Sequence, residues 1–344
     1  MKKLCLFLCV LLTLVLFGCE KAPAEQTVPT TVPVETTAPI ETTPPTTLPP
    51  ETVPPETTEP VVLEFPEGDI QAVLLCFADM LYVRDAEIVE ILPEGYYYVG
   101  KTFQGDSASI PKVSSISCHI PSMTDFYASP TDPDYVFFSQ DGQYRRMIRA
   151  ALVQNTWTDK TFADSVPENY TQLFFQELFG NSMDENFYNT AAGVEFRTAQ
   201  KVDLHQLFYN GFADLRQHSV PLTDEETAFL LKNGFGESNP LTDIERFPED
   251  RMDAVLQRFF GLALSDTSGA GLKKIGVYHK DSRCYYGKRT DTLYNFVTVD
   301  HVEYDTQTGN YLLTITCDMG MKVTFKMVLQ PVGDVLRMVS NMSA

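Results

Sequence analysis

Apolar residues along this chain change their spacing several times, and each change marks a different kind of element. Residues 4–17 form an almost unbroken apolar run, interrupted only by Thr13 and preceded by Lys2 and Lys3. Residues 20–62 show no apolar periodicity of either kind. In residues 140–154, Tyr144, Met147, Ile148, Ala151 and Leu152 fall at i, i+3, i+4, i+7 and i+8. That stripe predicts an amphipathic helix with Arg145, Arg146 and Arg149 turned outward. Ser165, Pro167 and Glu168 open a second helix with Tyr170, Leu173, Phe174 and Leu178 on its buried face, ended by Gly180-Asn181. Residues 95–103 and 193–198 are aromatic or alternating and read as strands. Thr223 and Glu226 make a capping box for a helix that Gly234 stops. Residues 249–260 carry Met252, Val255, Leu256, Phe259 and Phe260 on one stripe, with Gly261 placed for a left-handed cap.

After residue 290 the period falls from 3.6 to two. Tyr311, Leu313, Ile315 and Cys317 share one strand face, and Val323, Phe325, Met327 and Leu329 repeat the pattern beyond a turn at 318–320. With 293–304 before them and 335–342 after, they predict a four-stranded antiparallel meander with one face covered by helices. The fold class expected is therefore α+β: a mixed N-terminal region, then helices packed on a curved antiparallel sheet. That C-terminal architecture resembles the cystatin-like or nuclear-transport-factor-like cone, a likeness that carries no function. The expected organisation is a signal peptide at 1–18, a tether at 19–62, a mixed α/β domain at 63–220 and an α+β domain at 221–344.

The first segment predicts where the protein resides. The 14 residues of its apolar run reach about 21 Å as a helix, short of the roughly 30 Å hydrocarbon core, so the run is expected to direct export and not to span the bilayer. Leu16-Phe17-Gly18-Cys19 resembles the lipobox of bacterial lipoproteins, and that resemblance implies cleavage before Cys19 and a lipid on its sulfur. Phe17 is bulkier than the usual residue at its place in such a motif. Residues 20–62 hold 11 prolines, 12 threonines and seven glutamates against Lys21 alone, with no glycine and no aromatic. Such a segment cannot bury a core and favours extended polyproline II, with an upper reach on the order of 130 Å. The expected placement is the outer face of the cell membrane, the bilayer being engaged through acylated Cys19.

Composition then removes partner classes. Lys and Arg number 26 against 46 Asp and Glu, a formal charge of -20, which excludes sequence-independent nucleic-acid binding and docking on anionic lipid through a basic patch. Cys76, Cys118, Cys284 and Cys317 include no Cys-x-x-Cys pair and no His at zinc spacing; free thiols are expected, and no metal or cofactor. Gly105-Asp106-Ser107 echoes the nucleophile block of Gly-Asp-Ser hydrolases, yet none of the five histidines has an aspartate three residues before it. Ser109-Ile110-Pro111-Lys112 lacks a Lys-Thr-Gly partner. Asp132, Asp134 and Asp141 lack the spacing of a calcium loop and read as a solvated acidic turn.

What remains is a cluster of aromatics beside charge. His279, Tyr285, Tyr286 and Asp291 are the candidate ligand-binding residues, because stacking rings with one imidazole and one carboxylate suit a sugar, a peptide end or a small polar ligand. Residues 251–261 (RMDAVLQRFFG), Tyr285-Tyr286, Asp291-Thr292 and residues 336–341 (LRMVSN) are together similar to a group of uncharacterised Thr/Pro-tethered lipoproteins of Gram-positive anaerobic bacteria. The similarity covers residues 222–344 and implies an exported lipoprotein and no particular chemistry. The expected role is non-catalytic binding of a protein, peptide or cell-wall polymer. The alternative is an extracytoplasmic hydrolase acting on such a polymer through paired carboxylates.

Overall fold

The computed structural model describes residues 72–107, 109–153, 165–180, 187–209, 221–236, 241–288, 295–318 and 320–344. The segments expected to serve as leader and tether, with Cys19, and Asp291 lie outside the described residues. No described helix is long and apolar enough to cross a membrane.

The N-terminal half is mostly sheet. Strands β1 (Leu74–Phe77), β2 (Met80–Val89), β3 (Tyr97–Lys101), β4 (Phe103–Gln104), β5 (Ile116–Cys118), β6 (Asp125–Ala128), β7 (Tyr135–Gln140) and β8 (Gln143–Arg149) form one sheet in the order β3-β6-β7-β8-β2-β1-β5-β4. Residues 140–154 are therefore not the expected amphipathic helix. Asp141 and Gly142 take left-handed φ values of 55° and 76°, the two-residue turn for which Asp-Gly is the strongest local signal. That turn pairs Gln140 with Gln143 and Val136 with Met147. The helical stripe was a coincidence of spacing: within β8 only Met147 and Arg149 are buried, two residues apart. The expected strand at 193–198 is reduced to one bridge between Phe196 and Asn341.

The other expected helices and the meander appear in order, with further short helices and strands between them. Helix α1 (Tyr170–Gly180) buries Tyr170, Phe174, Phe175, Leu178 and Phe179. Helices α2 (Phe187–Ala192) and α3 (Leu204–Tyr209) follow, and α4 (Asp224–Lys232) begins with the expected capping box. Strand β9 (Ile244–Pro248) leads into α5 (Glu249–Phe260), which Gly261 closes at φ 72°. Helix α6 (Leu272–Ile275) precedes β10 (Val277–His279) and β11 (Cys284–Lys288), which join β9 in a three-stranded sheet ordered β10-β11-β9. Strands β12 (Phe296–Asp305), β13 (Asn310–Asp318), β14 (Lys322–Val332) and β15 (Val335–Ser343) form the antiparallel meander, with register shifts at Val299/His301 and Val328/Leu329 that bend it. The protein is thus of the mixed α+β class.

The described residues form one compact unit. Its main buried cluster runs from Leu75 to Met338, crossing the expected boundary between residues 220 and 221. Helix α1 is central to that cluster. Phe174 meets Phe77 of β1 edge-on at 6.0 Å, and the next residue, Phe175, meets Tyr311 of β13 at 5.0 Å. Gln172 donates to the Val299 carbonyl at 2.7 Å; Gln176 donates to the Val297 carbonyl at 2.8 Å and accepts from the Val299 amide at 2.9 Å. These side chains satisfy the outer edge of β12, which has no neighbouring strand.

Asn189 and Asn295 clasp each other's backbone, joining α2 to the segment before β12. Cys76, Cys118, Cys284 and Cys317 are buried and form no disulfide. Burial pushes the Cys76 and Cys317 thiols up to about 12, so they pack as small apolar groups.

Candidate functional site

The β10-β11 hairpin carries three of the candidate residues, and strand alternation separates them. Tyr286 pairs with Val277 and with Arg246, and His279 pairs with Cys284, so these five share one face. Helix α4 covers that face, its Leu230 and Phe229 packing with Cys284, Tyr286 and Val277. Tyr285 points the other way. It packs against the main core and lies 4.7 Å from Tyr278, whose hydroxyl donates to Glu249 at 2.9 Å. Tyr285 is therefore not part of one pocket with Tyr286 and His279. Gly276, at φ 152°, lets the hairpin close: a Cβ there would sit 1.9 Å from the Tyr286 carbonyl oxygen.

On the covered face the polar groups form one directional chain. Glu226, the capping-box acid of α4, accepts at Oε2 from the Thr223 amide at 2.8 Å and at Oε1 from Arg246 at 2.7 Å. The Tyr286 hydroxyl also donates to Oε1. Burial alone would raise the Glu226 carboxyl, but the donors Tyr286, Thr223 and Arg246 together hold it below its ordinary value. Glu226 is thus ionised and can only accept. Burial, followed by the bond to Glu226, pushes Tyr286 up to about 12, so its hydroxyl stays protonated and must donate.

The chain of polar contacts continues outward from that carboxylate. Ser282 lies in the β10-β11 turn with Oγ 3.1 Å from the Tyr286 hydroxyl and 2.9 Å from His279 Nδ1. Ser282 Oγ thus bridges the Tyr286 hydroxyl, whose proton is committed to Glu226, and Nδ1 of His279. The Ser282 amide also donates to the same ring nitrogen, at 3.4 Å. His279 is only 7% exposed, and Phe229 presses on its ring at 4.6 Å. This arrangement fixes the position and orientation of an imidazole and engages its Nδ1. Glu225 and Asp281 bring carboxylates to the same imidazole, all three ligand atoms lying within 4.8 Å of one another. Sequence reading missed Glu225, Glu226, Arg246, Asp281 and Ser282. The visible trace was the capping box, whose glutamate serves both the helix end and the buried chain.

A second feature is an open cleft of about 580 Å³ between residues 90–97 and the β14-β15 turn. Tyr96, Tyr97, Tyr144, Glu90, Glu94 and Asp334 line it, and its lining contains no lysine or arginine. The Tyr98 amide donates to the Asp334 carbonyl at 2.7 Å and pins the turn in place. Arg258 stands 3.5 Å from the Asp334 carboxylate, so that charge is shared, while Glu90 and Glu94 are exposed.

The other expectations are answered by pairing. Asp132 accepts from Tyr96 at 2.5 Å and Asp134 pairs with Arg149 at 2.9 Å, so these acids are engaged within the fold. Arg146 pairs with Asp85 at 2.7 Å and Glu87 at 2.5 Å.

Comparison with known proteins finds no matching family model, no matching curated protein and no matching solved structure.

The low-lying Glu226 carboxylate sets a pH dependence. A depressed carboxyl stabilises the fold above its unfolded value and loses that contribution as pH falls through its folded value. Glu226→Gln should therefore cost about 3 kcal/mol at pH 7, as loss of one partner of a buried pair does. The gap to the unsubstituted protein should narrow as pH drops below about 4. Urea midpoints measured from pH 7 to 3 check this; an undiminished gap would refute the account of Glu226.

Proposed function

We propose that this protein is an extracytoplasmic, non-catalytic binding protein, tethered to the outer face of the membrane by a lipid on Cys19, whose body takes a cationic peptide segment in the β14-β15 cleft. The observation that carries this reading is the lining of that cleft: three tyrosines and three carboxylates without a cation among them. Aromatic faces and carboxylates together attract ammonium and guanidinium groups. A body of strongly negative charge, within a chain of formal charge -20, draws such a partner in over a distance of about a Debye length. Ile91, 82% exposed at the rim, offers an apolar contact beside the charge.

The anchor and tether supply the rest of the reading. A lipid at one end of a Thr/Pro spacer would hold the cleft away from the bilayer, facing wall polymers and secreted proteins. The same reading groups the chain with the Thr/Pro-tethered lipoproteins of Gram-positive anaerobes. The bent meander, with α5 burying Met252, Leu256, Phe259 and Phe260 in the core it shares with β13 and β14, is read here as a cystatin-like or nuclear-transport-factor-like cone; the packing supports that name.

Two experiments test the parts separately. Palmitate labelling in the native host should vanish in Cys19→Ala, and label that persists would overturn the anchor. For the cleft, a labelled oligolysine peptide is titrated by fluorescence anisotropy. Glu90→Gln with Glu94→Gln should weaken binding about tenfold, the effect of roughly 1.4 kcal/mol. The same loss of charge at exposed Asp250→Asn with Glu303→Gln should leave it nearly unchanged. Equal weakening by both pairs would mean that bulk charge, and not the cleft, attracts the peptide.

A further inference from the structure

We propose that Glu225, His279 and Asp281 form a site for a divalent transition-metal ion, with zinc the ion that best fits the donors. The three residues come from different places: Glu225 from the first turn of α4, His279 from the end of β10 and Asp281 from the turn that follows it. A ring nitrogen of His279 and one carboxylate oxygen from each acid lie within 4.8 Å of one another. Zinc held by nitrogen and oxygen at about 2.1 Å in a tetrahedron spaces its ligand atoms about 3.4 Å apart. The contraction required falls on Glu225 and Asp281, which are exposed and free to swing, and not on the buried imidazole. Neither acid forms a salt bridge among the described residues.

The second observation is the support behind the imidazole. A metal-binding histidine typically donates its other ring N–H to an acceptor that fixes tautomer and orientation, and such outer partners raise the ligand's basicity. Here the Nδ1 side is held by Ser282, then Tyr286, then the Glu226 carboxylate backed by Arg246, with distances of 2.9, 3.1 and 2.7 Å at the first, second and last links. Phe229 holds the ring from the side. With Nδ1 engaged by Ser282, Nε2 is the ring nitrogen this proposal assigns to the metal. One imidazole and two carboxylates suit zinc, cobalt or manganese; magnesium and calcium favour all-oxygen shells. Three protein ligands leave a fourth position for water or for a group from a bound partner.

The test is calorimetric titration of chelator-stripped, tag-free exported protein with zinc chloride, read with and without a large excess of magnesium. The unsubstituted protein should bind about one equivalent, unaffected by magnesium. Glu225→Gln with Asp281→Asn, both exposed and with folding checked by circular dichroism, should weaken binding at least about tenfold. Ser282→Ala, which leaves all three ligands in place, should weaken it by a smaller factor. Zinc binding equal in the unsubstituted and doubly substituted proteins, no binding at all, or displacement by magnesium would each overturn the proposal.

Discussion

Helix α1 must satisfy two hydrophobic surfaces at once, and the rest of the structure is arranged around that demand. Successive helical residues point about 100° apart, so Phe174 and Phe175 cannot face the same sheet. One meets Phe77 of the eight-stranded sheet and the other Tyr311 of the meander. The amides of Gln172 and Gln176 then occupy the β12 edge, where backbone groups without a strand partner would otherwise remain open to pairing with another chain. Tyr170 and Thr171 anchor the start of the same helix to the carbonyls of Ser129 and Pro130. Removing α1 would expose both sheets and free an edge together.

Both candidate sites depend on that joint. The cleft exists because the β2-β3 loop, residues 90–96, comes from one sheet and the β14-β15 turn from the other, and because the Tyr98 amide ties the turn across. The buried chain that ends on Glu226 lies in a smaller sandwich. Its sheet turns one face to α4 and the other, through Phe247 and Tyr285, to the shared core. A fixed imidazole at the mouth of that sandwich follows from packing that is otherwise structural.

The sequence was legible wherever local chemistry settles the outcome. The Thr223–Glu226 box, the Gly261 cap and the two-residue alternation of the meander all appear where their residues place them. Where two local signals compete, periodicity misled: five apolar residues at helical spacing were overruled by the Asp141-Gly142 turn, because a turn that sets φ positive at two successive positions fixes the hairpin register. Of the expected site, His279 and Tyr286 do meet on one face. Tyr285 leaves because adjacent strand residues alternate, and Asp291 is outside the described residues. The missing members could not be read from spacing. Glu226 and Tyr286 lie 60 positions apart, and nothing local in either marks the partnership. Cleft residues were hidden for the same reason, since a turn after residue 330 meets a loop before residue 98 only through the fold.

One core shared across residues 72–344 should melt as one unit. Differential scanning calorimetry of the chain tests this most directly. The account predicts a single endotherm whose calorimetric and van't Hoff enthalpies agree, and the same single transition, at lower temperature, in Phe174→Ala. Two resolved transitions, with Phe174→Ala moving one and leaving the other in place, would contradict it.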